Sequence, residues 1–474
     1  MLDQDTIFDR RSLIAHGAAF TSAFLAAPLV DAATAVPLPA ATLRKPARNP
    51  ATGLNERLQL LQVGVGGSIA PADRAQLKAH PAVAFTGFCD VDSDALAAVA
   101  KEHPDAFTCR DFREAFAFHA DKFDGVVVCT PDHNHAVIML TALKHGKHVY
   151  GQKPLVQQLG EVRAMFDAVA KRPGLVTQVG NQRMGPPGRQ HAVDILRRGL
   201  LGQAVEAHVW ISGPGDQGDG YFYYGDRREI PPPANVDWPL WLGAAQDAPC
   251  CEGLVGLRWR SSWDYGTGQL GDWCTHLLDV LYFAYDLPAP VAVVSQTRTP
   301  SGFYHAQHVQ STLTYRVNGP LFATGRFVVH YCDKSQAPSR ASLGLPPGEW
   351  PGIGTLVVCE GGVLLVRPEG EITVWMGGRE VDWTTFPGRD AIRERNHWHS
   401  WVDRIVGRPD AFVQTPFAAG AGMAEAGLLC CRAARYPGKE LRWDRASASF
   451  LGNQEATDAI VHRQYRMGFE LPKM

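Results

Sequence analysis

The sequence predicts two domains: an α/β domain with a parallel sheet wound on both faces, then an α+β domain with a large, mainly antiparallel open sheet. Between residues 58 and 180, short apolar runs alternate with helix-length segments. After about residue 185 the rhythm changes to alternating strands broken by a few long helices. A glycine turn closing the first apolar run indicates which kind of α/β domain this is.

The elements follow in order. Leu58–Val65 is a short apolar run ending in glycines, and Ala84–Val91 is a second. Gly125–Thr130 is a third, His148–Tyr150 begins another, and Val176–Val179 is the next. Helix-like stretches lie between them at 93–102, 111–119, 133–145 and 159–171. These elements place the first domain at 58–180 and leave 181–474 to the second. There, Ala204–Ile211, Val291–Thr297, Ser311–Val317, Ala323–Val329 and Thr355–Cys359 read as antiparallel strands. Helical segments appear at 189–199, 269–285, 389–406 and 418–435.

Composition narrows the function classes. Of 474 residues, 46 are Lys or Arg and 48 are Asp or Glu, a formal net charge of −2. No large positive field is available to meet phosphates, so a nucleic-acid partner is not expected. A 45% hydrophobic content with so little net charge excludes a disordered chain. The 47 Gly and 33 Pro fit a loop-rich enzyme better than a helical bundle.

The N-terminus reads as a targeting segment. Arg10 and Arg11 precede an apolar stretch from Leu13 to Val30, and Ala33-Thr34-Ala35 follows. That order, with paired arginines, describes a twin-arginine (Tat) secretory signal over 1–35 and a periplasmic or secreted protein. The stretch is short for a stable span and contains His16 and Pro28, so no membrane span is expected in the mature chain. Residues 36–57 are rich in Pro, Ala and Asn and read as a linker. None of the ten cysteines forms a C-x-x-C pair, which removes zinc-ribbon and thioredoxin-like readings.

The first strand runs into Gly64, Gly66 and Gly67, then Ser68 and Ile69. Glycines at a strand-to-helix turn let the backbone approach a pyrophosphate, and the following helix N-terminus offers free N–H groups. Ile69 stands where a third glycine of the Rossmann fingerprint would be. The second strand ends at Asp90, which can accept from adenine-ribose hydroxyls and repels a 2′-phosphate, so NAD is expected over NADP. The strand ending near Thr130, Pro131 and His135 should face the same cofactor, because ligands lie beyond the carboxyl ends of parallel strands. No metal is expected at His133 and His135, since no further ligands at suitable spacing follow.

These motifs resemble the Gfo/Idh/MocA family (glucose-fructose oxidoreductase and inositol dehydrogenase). The resemblance covers about 58–450 and rests on GVGG at 64–67, CDVD at 89–92, TPDHNHA at 130–136, GKHVYGQKPL at 146–155 and GDWCTHLLD at 271–279. Leu441–Asp444 and Tyr465–Gly468 look like the secreted branch of that family. The resemblance implies an NAD(P)-dependent oxidoreductase of CH–OH groups, with a sugar or sugar derivative as substrate. A homo-oligomer is expected on other grounds: the open sheet of the second domain has an exposed face that, where apolar, would pair with another copy. It implies that Lys153 reaches the substrate hydroxyl and nicotinamide ribose, and that Asp272 and His276 form the family's proton-transfer pair. The residues agree: a spacing of four puts Asp272 and His276 on one helix face, where the carboxylate can orient the imidazole. Gln152 stands where the family has Glu, which leaves the tuning of Lys153 open.

On the substrate side, Arg183, Trp263 and Tyr265 are candidate sugar contacts beside Asp272 and His276, and a second aromatic cluster spans Tyr221, Phe222, Tyr223 and Tyr224. Export implies a tightly held cofactor regenerated in the site. Two alternatives stay open. One is glycoside cleavage through a transient ketone, with Tyr265, Tyr221, Tyr223 or Tyr224 as the extra base. The other is a non-catalytic sugar-binding protein.

Overall fold

The computed structural model describes residues 57–474, apart from 214, 215, 217, 220, 300, 335, 336 and 389–391. The signal segment expected at 1–35, and the linker at 36–57 up to its last residue, lie outside the described residues.

The first sheet holds β1 (Leu58–Val63), β2 (Val83–Cys89), β3 (Phe107–Cys109), β4 (Gly125–Val128), β5 (His148–Gly151) and β6 (Thr177–Val179). All six are parallel, in the order 3-2-1-4-5-6. Its helices are α1 (Ala70–Lys78), α2 (Ser93–Glu102), α3 (Phe112–Phe118), α4 (His135–Lys144) and α5 (Leu159–Lys171). β4 is buried along its whole length, which is why its sequence is apolar without alternation. Asp92 and Asp111 begin α2 and α3 by accepting from first-turn backbone N–H groups. β3 is three residues of mixed polarity, too short to leave a periodic signal. The strand order reverses between β1 and β4, so the loops after these strands part and open a crevice.

The second sheet holds β7 (Ala204–Trp210), β8 (Ala292–Gln296), β9 (Gln310–Arg316), β10 (Arg326–Cys332), β11 (Gly354–Cys359), β12 (Gly362–Val366), β13 (Ile372–Met376), β14 (Arg379–Val381), β15 (Glu440–Asp444) and β16 (Ser449–Phe450). Their order is 14-13-12-11-7-10-9-8-15-16. The mainly antiparallel expectation holds with one exception: β7 and β10 run parallel. β8, β9 and β10 form a meander whose last strand docks beside β7, and the long excursion between β7 and β8 permits that pairing.

The remaining helices are α6 (Pro187–Arg197), α7 (Trp238–Leu242), α8 (Gly268–Tyr285), α9 (His397–Ile405), α10 (Phe417–Ala433) and α11 (Gln454–Ile460). α8 and α10 lie side by side at close range, because a Cβ on Gly427 would stand 2.4 Å from the Cys274 Cβ. α9 departs from a clean division at residue 180. Its Trp401, Val402 and Ile405 bury against Leu60, Val127 and Tyr150 of the first sheet. The ten cysteines are unpaired, and all but Cys129 are buried. No helix among the described residues is long and apolar enough to cross a membrane.

The two faces of the second sheet differ. Ala207, Val209, Val329 and Tyr331 face inward to the core shared with α8 and α10. At one end the outer face carries a small core of Trp210, Leu356, Leu365 and Trp375, covered by Leu345 and Trp350. On the central strands it carries Glu206, His208, Thr312, Thr314 and His330, all partly exposed.

Candidate active site

The crevice at the β1–β4 reversal deepens into a cavity of about 820 Å³ that runs on between the two domains. Gly64, Gly66, Gly67, Ser68 and Ile69 line its floor. Gly64 has φ +82°, and a Cβ there would stand 2.7 Å from the Cys129 backbone carbon. Gly67 has φ +69°, with nothing within 4 Å of its Cβ position. Ile69 makes no side-chain cap at the start of α1, so the first-turn N–H groups stay available. The missing third glycine therefore leaves the anion cradle intact.

Asp90 closes the cradle from β2. Its Oδ2 accepts from the backbone N–H of Val65 at 2.7 Å and Gly66 at 3.2 Å, and its Oδ1 from Asp92 N–H at 3.0 Å. Burial raises its pKa, and these N–H groups oppose that rise. Arg110 and Phe112 beyond β3 line the same end of the cavity. The second domain covers it with Val236, Leu240 and Trp241, and the C-terminal segment with Phe469. Backbone pairing of Asp92 with Val236, and an Asn235 Nδ2 bond to Asp92 Oδ1 of 2.8 Å, hold that cover in place.

Thr130, Pro131, His135 and Gln152 line the middle. Thr130 Oγ1 is buried without a partner. The His135 nitrogens lie 2.8 Å from the carbonyls of Pro154 and Thr130, so this ring staples two cavity loops together. His133 is likewise tied to backbone, with Nε2 2.9 Å from the Trp241 carbonyl. Gln152 Nε2 donates to Asp73 Oδ2 at 2.6 Å. Asp73, buried on α1, also accepts from Trp398 Nε1 at 2.7 Å and Cys129 Sγ at 3.4 Å. Burial raises Asp73 to about 6, and the three donors limit the rise. The Gln152 departure thus has a physical reason: a second carboxylate there would meet Asp73 head-on.

Lys153 is tuned by another residue. Its Nζ lies 3.0 Å from Asp272 Oδ1 and donates to the Asp272 carbonyl at 3.1 Å. Burial pulls the ammonium pKa down, but the Asp272 charge and hydrogen bond outweigh it, and the net shift is upward. Arg260 Nε stands 3.8 Å from the same carboxylate, and its guanidinium lies over Tyr221 and Trp259. Asp132, also lining the cavity, accepts from Thr267 Oγ1 at 2.9 Å. Burial, then the Asp272 charge, push it to about 8, so it is a neutral acid at pH 7.

His276 lines the cavity one turn along α8 from Asp272. The expected carboxylate–imidazole contact is not made, because Asp272 is committed to Lys153. His276 Nδ1 lies instead 2.9 Å from Asn181 Oδ1. Asn181 Nδ2 donates to Asp279 Oδ2 at 3.1 Å, and Arg189 Nε donates to that oxygen at 3.1 Å. A carboxylate accepts only, so Asp279 fixes the Asn181 amide with its oxygen toward the ring. His276 must then carry its proton on Nδ1, leaving Nε2 unprotonated. Burial, then the charges of Lys153, Arg183 and Arg189, hold the imidazole pKa well below its usual value.

Of the expected substrate contacts, Arg183 lines the cavity, with Nη1 2.7 Å from Glu369 and Nε buried without a partner. Trp263 and Tyr265 do not. Trp263 stacks under Arg435 and Arg432 beside His305, and Tyr265 is buried between Trp241 and His133. Their rings are used up in packing, and Tyr221, Trp259 and Trp273 stand at the cavity wall in their place. Gln269, with Oε1 buried and unpartnered, lines it too. The sequence reading missed Asp132, Asn181, Asp279, Arg189 and Gln269. Asn181 lies two residues beyond the end of β6, where ligand-side residues gather. Asp279 continues the 272, 276 face of a largely apolar helix.

A six-stranded parallel sheet with a glycine cradle at its reversal, joined to a sheet domain that supplies a Lys–Asp pair and a buried His, defines a two-domain dinucleotide-dependent oxidoreductase architecture. Residues 58–180 match an oxidoreductase family with an NAD-binding Rossmann fold, and 191–325 match its C-terminal α/β domain. The chain belongs to the Gfo/Idh/MocA oxidoreductase family, and its first domain is an NAD-binding Rossmann domain. It is 26% identical over 239 residues to an uncharacterised oxidoreductase of Escherichia coli, covering 49% of this chain and 57% of that one. It is 28% identical over 172 residues to levoglucosan dehydrogenase of Pseudarthrobacter phenanthrenivorans, covering 36% and 35%. The matched stretches span 57% and 35% of these two curated relatives' lengths. The WlbA dehydrogenase of Chromobacterium violaceum, solved with NADH and UDP-GlcNAcA, shares the fold with a TM-score of 0.58 at 16% identity, covering 82% of this chain and 96% of that one.

Proposed function

We propose that the protein oxidises a carbinol of a sugar or sugar derivative by hydride transfer to an NAD that it keeps bound. The observation that carries this reading is the convergence of Lys153, Asp272 and His276 on one cavity with the glycine cradle. The residues present fit the cofactor: an uncapped helix start behind open glycines, the Asp90 carboxylate at the end of β2, and a partnerless Thr130 hydroxyl. Bound there, NAD supplies the hydride acceptor. Lys153, held protonated by Asp272, binds the substrate oxygen and stabilises negative charge developing on it. His276 is neutral and has a free Nε2, so it takes the hydroxyl proton. Arg183 and Gln269 offer unpartnered polar atoms to further hydroxyls.

Retention of the cofactor is supported by the cover over the Asp90 end, which comes from the second domain and the C-terminal segment. It also suits export through the twin-arginine signal read at 1–35, which is part of the same proposal, as is assembly into a homo-oligomer. The elimination route to glycoside cleavage has Tyr221 as its base in the cavity, and burial raises that phenol's pKa, which favours the simpler oxidation. Denaturing the protein as purified, with no nucleotide added, tests the proposal. Stoichiometric NAD(H) in the supernatant is expected. A protein that carries none and binds none on addition would remove the redox reading and leave a sugar-binding role.

A further inference from the structure

Outside the cavity, one side-chain cluster is built for a ligand that the redox reading does not use. Glu206, His208 and His330 are the one group of three His, Cys, Asp or Glu side chains among the described residues whose ligand atoms all lie within 4.8 Å of one another. We propose that Glu206, His208 and His330 on the outer face of the second sheet bind a divalent transition-metal ion of the zinc class.

The backbone sets the geometry. β7 and β10 are the parallel pair at the centre of the ten-stranded sheet, and His208 and His330 are register partners across it. Their side chains therefore leave the same face, with ring centroids 4.9 Å apart and planes 21° from parallel. Glu206 lies two residues before His208 and so shares that face. Its Oε1 is 3.0 Å from His208 Nε2, and its Oε2 is 3.9 Å from His330 Nε2. Donors at metal–ligand bonds of about 2.0–2.1 Å on a tetrahedron stand roughly 3.3 Å apart. The two spacings, to different oxygens of the carboxylate, bracket that value, and one ligand atom from each side chain lies within 4.8 Å of the other two.

The chemistry agrees. Both Nε2 atoms converge on one carboxylate, which can only accept hydrogen bonds. Two neutral rings with their protons on Nε2 can each donate to it, so a cation competes with these two contacts for the same donor atoms. A single divalent ion satisfies the same three atoms through lone pairs. His330 Nδ1 lies 3.2 Å from Thr312 Oγ1, its neighbour across the β9 register. That hydroxyl can hold Nδ1–H and turn the Nε2 lone pair inward, as outer partners of metal-bound histidines do. Two imidazoles and one carboxylate suit Zn²⁺, Co²⁺, Ni²⁺ or Cu²⁺, whereas Mg²⁺ and Ca²⁺ prefer all-oxygen sets. All three side chains are partly exposed, so water can fill the remaining position. The site lies across the sheet from the redox cavity. The ion ties β7 to β10 and takes no part in hydride transfer.

The test is equilibrium dialysis of the chelator-stripped full-length protein against Zn²⁺, with metal analysis and a thermal melt. One tightly held equivalent per chain and a Zn²⁺-dependent rise in Tm are expected. Glu206→Gln and His330→Asn should each weaken binding by about tenfold or more and abolish the Tm rise, while NAD content and turnover stay at wild-type levels. Excess Mg²⁺ should not displace the ion. Binding that is substoichiometric, displaced by Mg²⁺, or unchanged in both variants would overturn the proposal, the last by placing the ion elsewhere on the chain.

Discussion

Restoring the family's acid at position 152 should damage this protein, and the structure says by how much. The Gln152 amide donates to Asp73 at 2.6 Å. Gln152→Glu puts two carboxyl groups at that separation, where two unit charges at an effective dielectric near 20 repel by about 6 kcal/mol. The pair avoids this by keeping one proton. Asp73 alone already titrates at about 6, so holding that proton at pH 7 costs about 1.4 kcal/mol per pH unit above its pKa. Loss of a hydrogen bond to a charged group costs about 1.5–3 kcal/mol by itself. A destabilisation of about 1–3 kcal/mol at pH 7 follows. The sign is fixed: the pair's folded pKa is raised, so stability is kept at low pH and lost as pH rises through it. Thermal melts of the Gln152→Glu variant should fall a few degrees below wild type near neutrality and further at higher pH. The Asp73→Asn, Gln152→Glu double variant, which moves the single carboxylate back to 152, should recover most of the loss. A single variant as stable as wild type at high pH, or a double variant no better than the single, would refute this account of the departure.

Four further outcomes follow from the site. Asn181→Ala removes the acceptor that fixes His276, and kcat should fall about 10–100-fold with KM nearly unchanged; an equal rise in KM would make Asn181 a substrate contact. The acid limb of kcat/KM should lie below the ordinary histidine range, since burial and nearby cations depress His276; Arg183→Met, which removes one of those cations, should move that limb to higher pH. Asp90→Ser should weaken NAD binding and improve NADP, because the repelling charge goes while Arg110 stays at that end of the cavity; direct titration with both nucleotides reads this. Asp132 is raised to about 8, so its stability contribution is present at low pH and lost as pH rises through that value; Asp132→Asn should therefore gain in Tm over wild type at about pH 9 relative to about pH 6.

Much of the fold could be read from the sequence because its signals are local and periodic. The buried run of β4 and the glycine turn at Gly64 each depend on a few neighbouring residues. β12 to β16 gave no comparable signal, since short strands beside turns satisfy no long period. The parallel pairing of β7 with β10, and the return of Trp401 to the first sheet, depend on contacts more than a hundred residues apart. The site divides in the same way. Lys153, Asp272 and His276 stand out by motif and spacing, but their partners do not. Which group Asp272 meets is decided by the packing of α8 against the loop after β5, and it is Lys153 rather than His276. The Asp279–Asn181–His276 chain joins α8 to the end of β6 and has no sequence spacing to betray it. Trp263 and Tyr265 mislead because an aromatic ring before a catalytic helix serves a core as well as a sugar.

The central claim is that Lys153, Asp272 and His276 carry hydride transfer to an NAD already in place. The direct test is to add a panel of sugars and sugar derivatives to the protein as isolated and follow the absorbance of the reduced nicotinamide in a single turnover. A rise of one equivalent per bound cofactor with at least one sugar is expected. The rise should be lost in Lys153→Met and His276→Asn proteins that retain their nucleotide. Full reduction by either variant, or a panel in which every sugar that binds the nucleotide-loaded protein leaves its nicotinamide unchanged, would contradict the account.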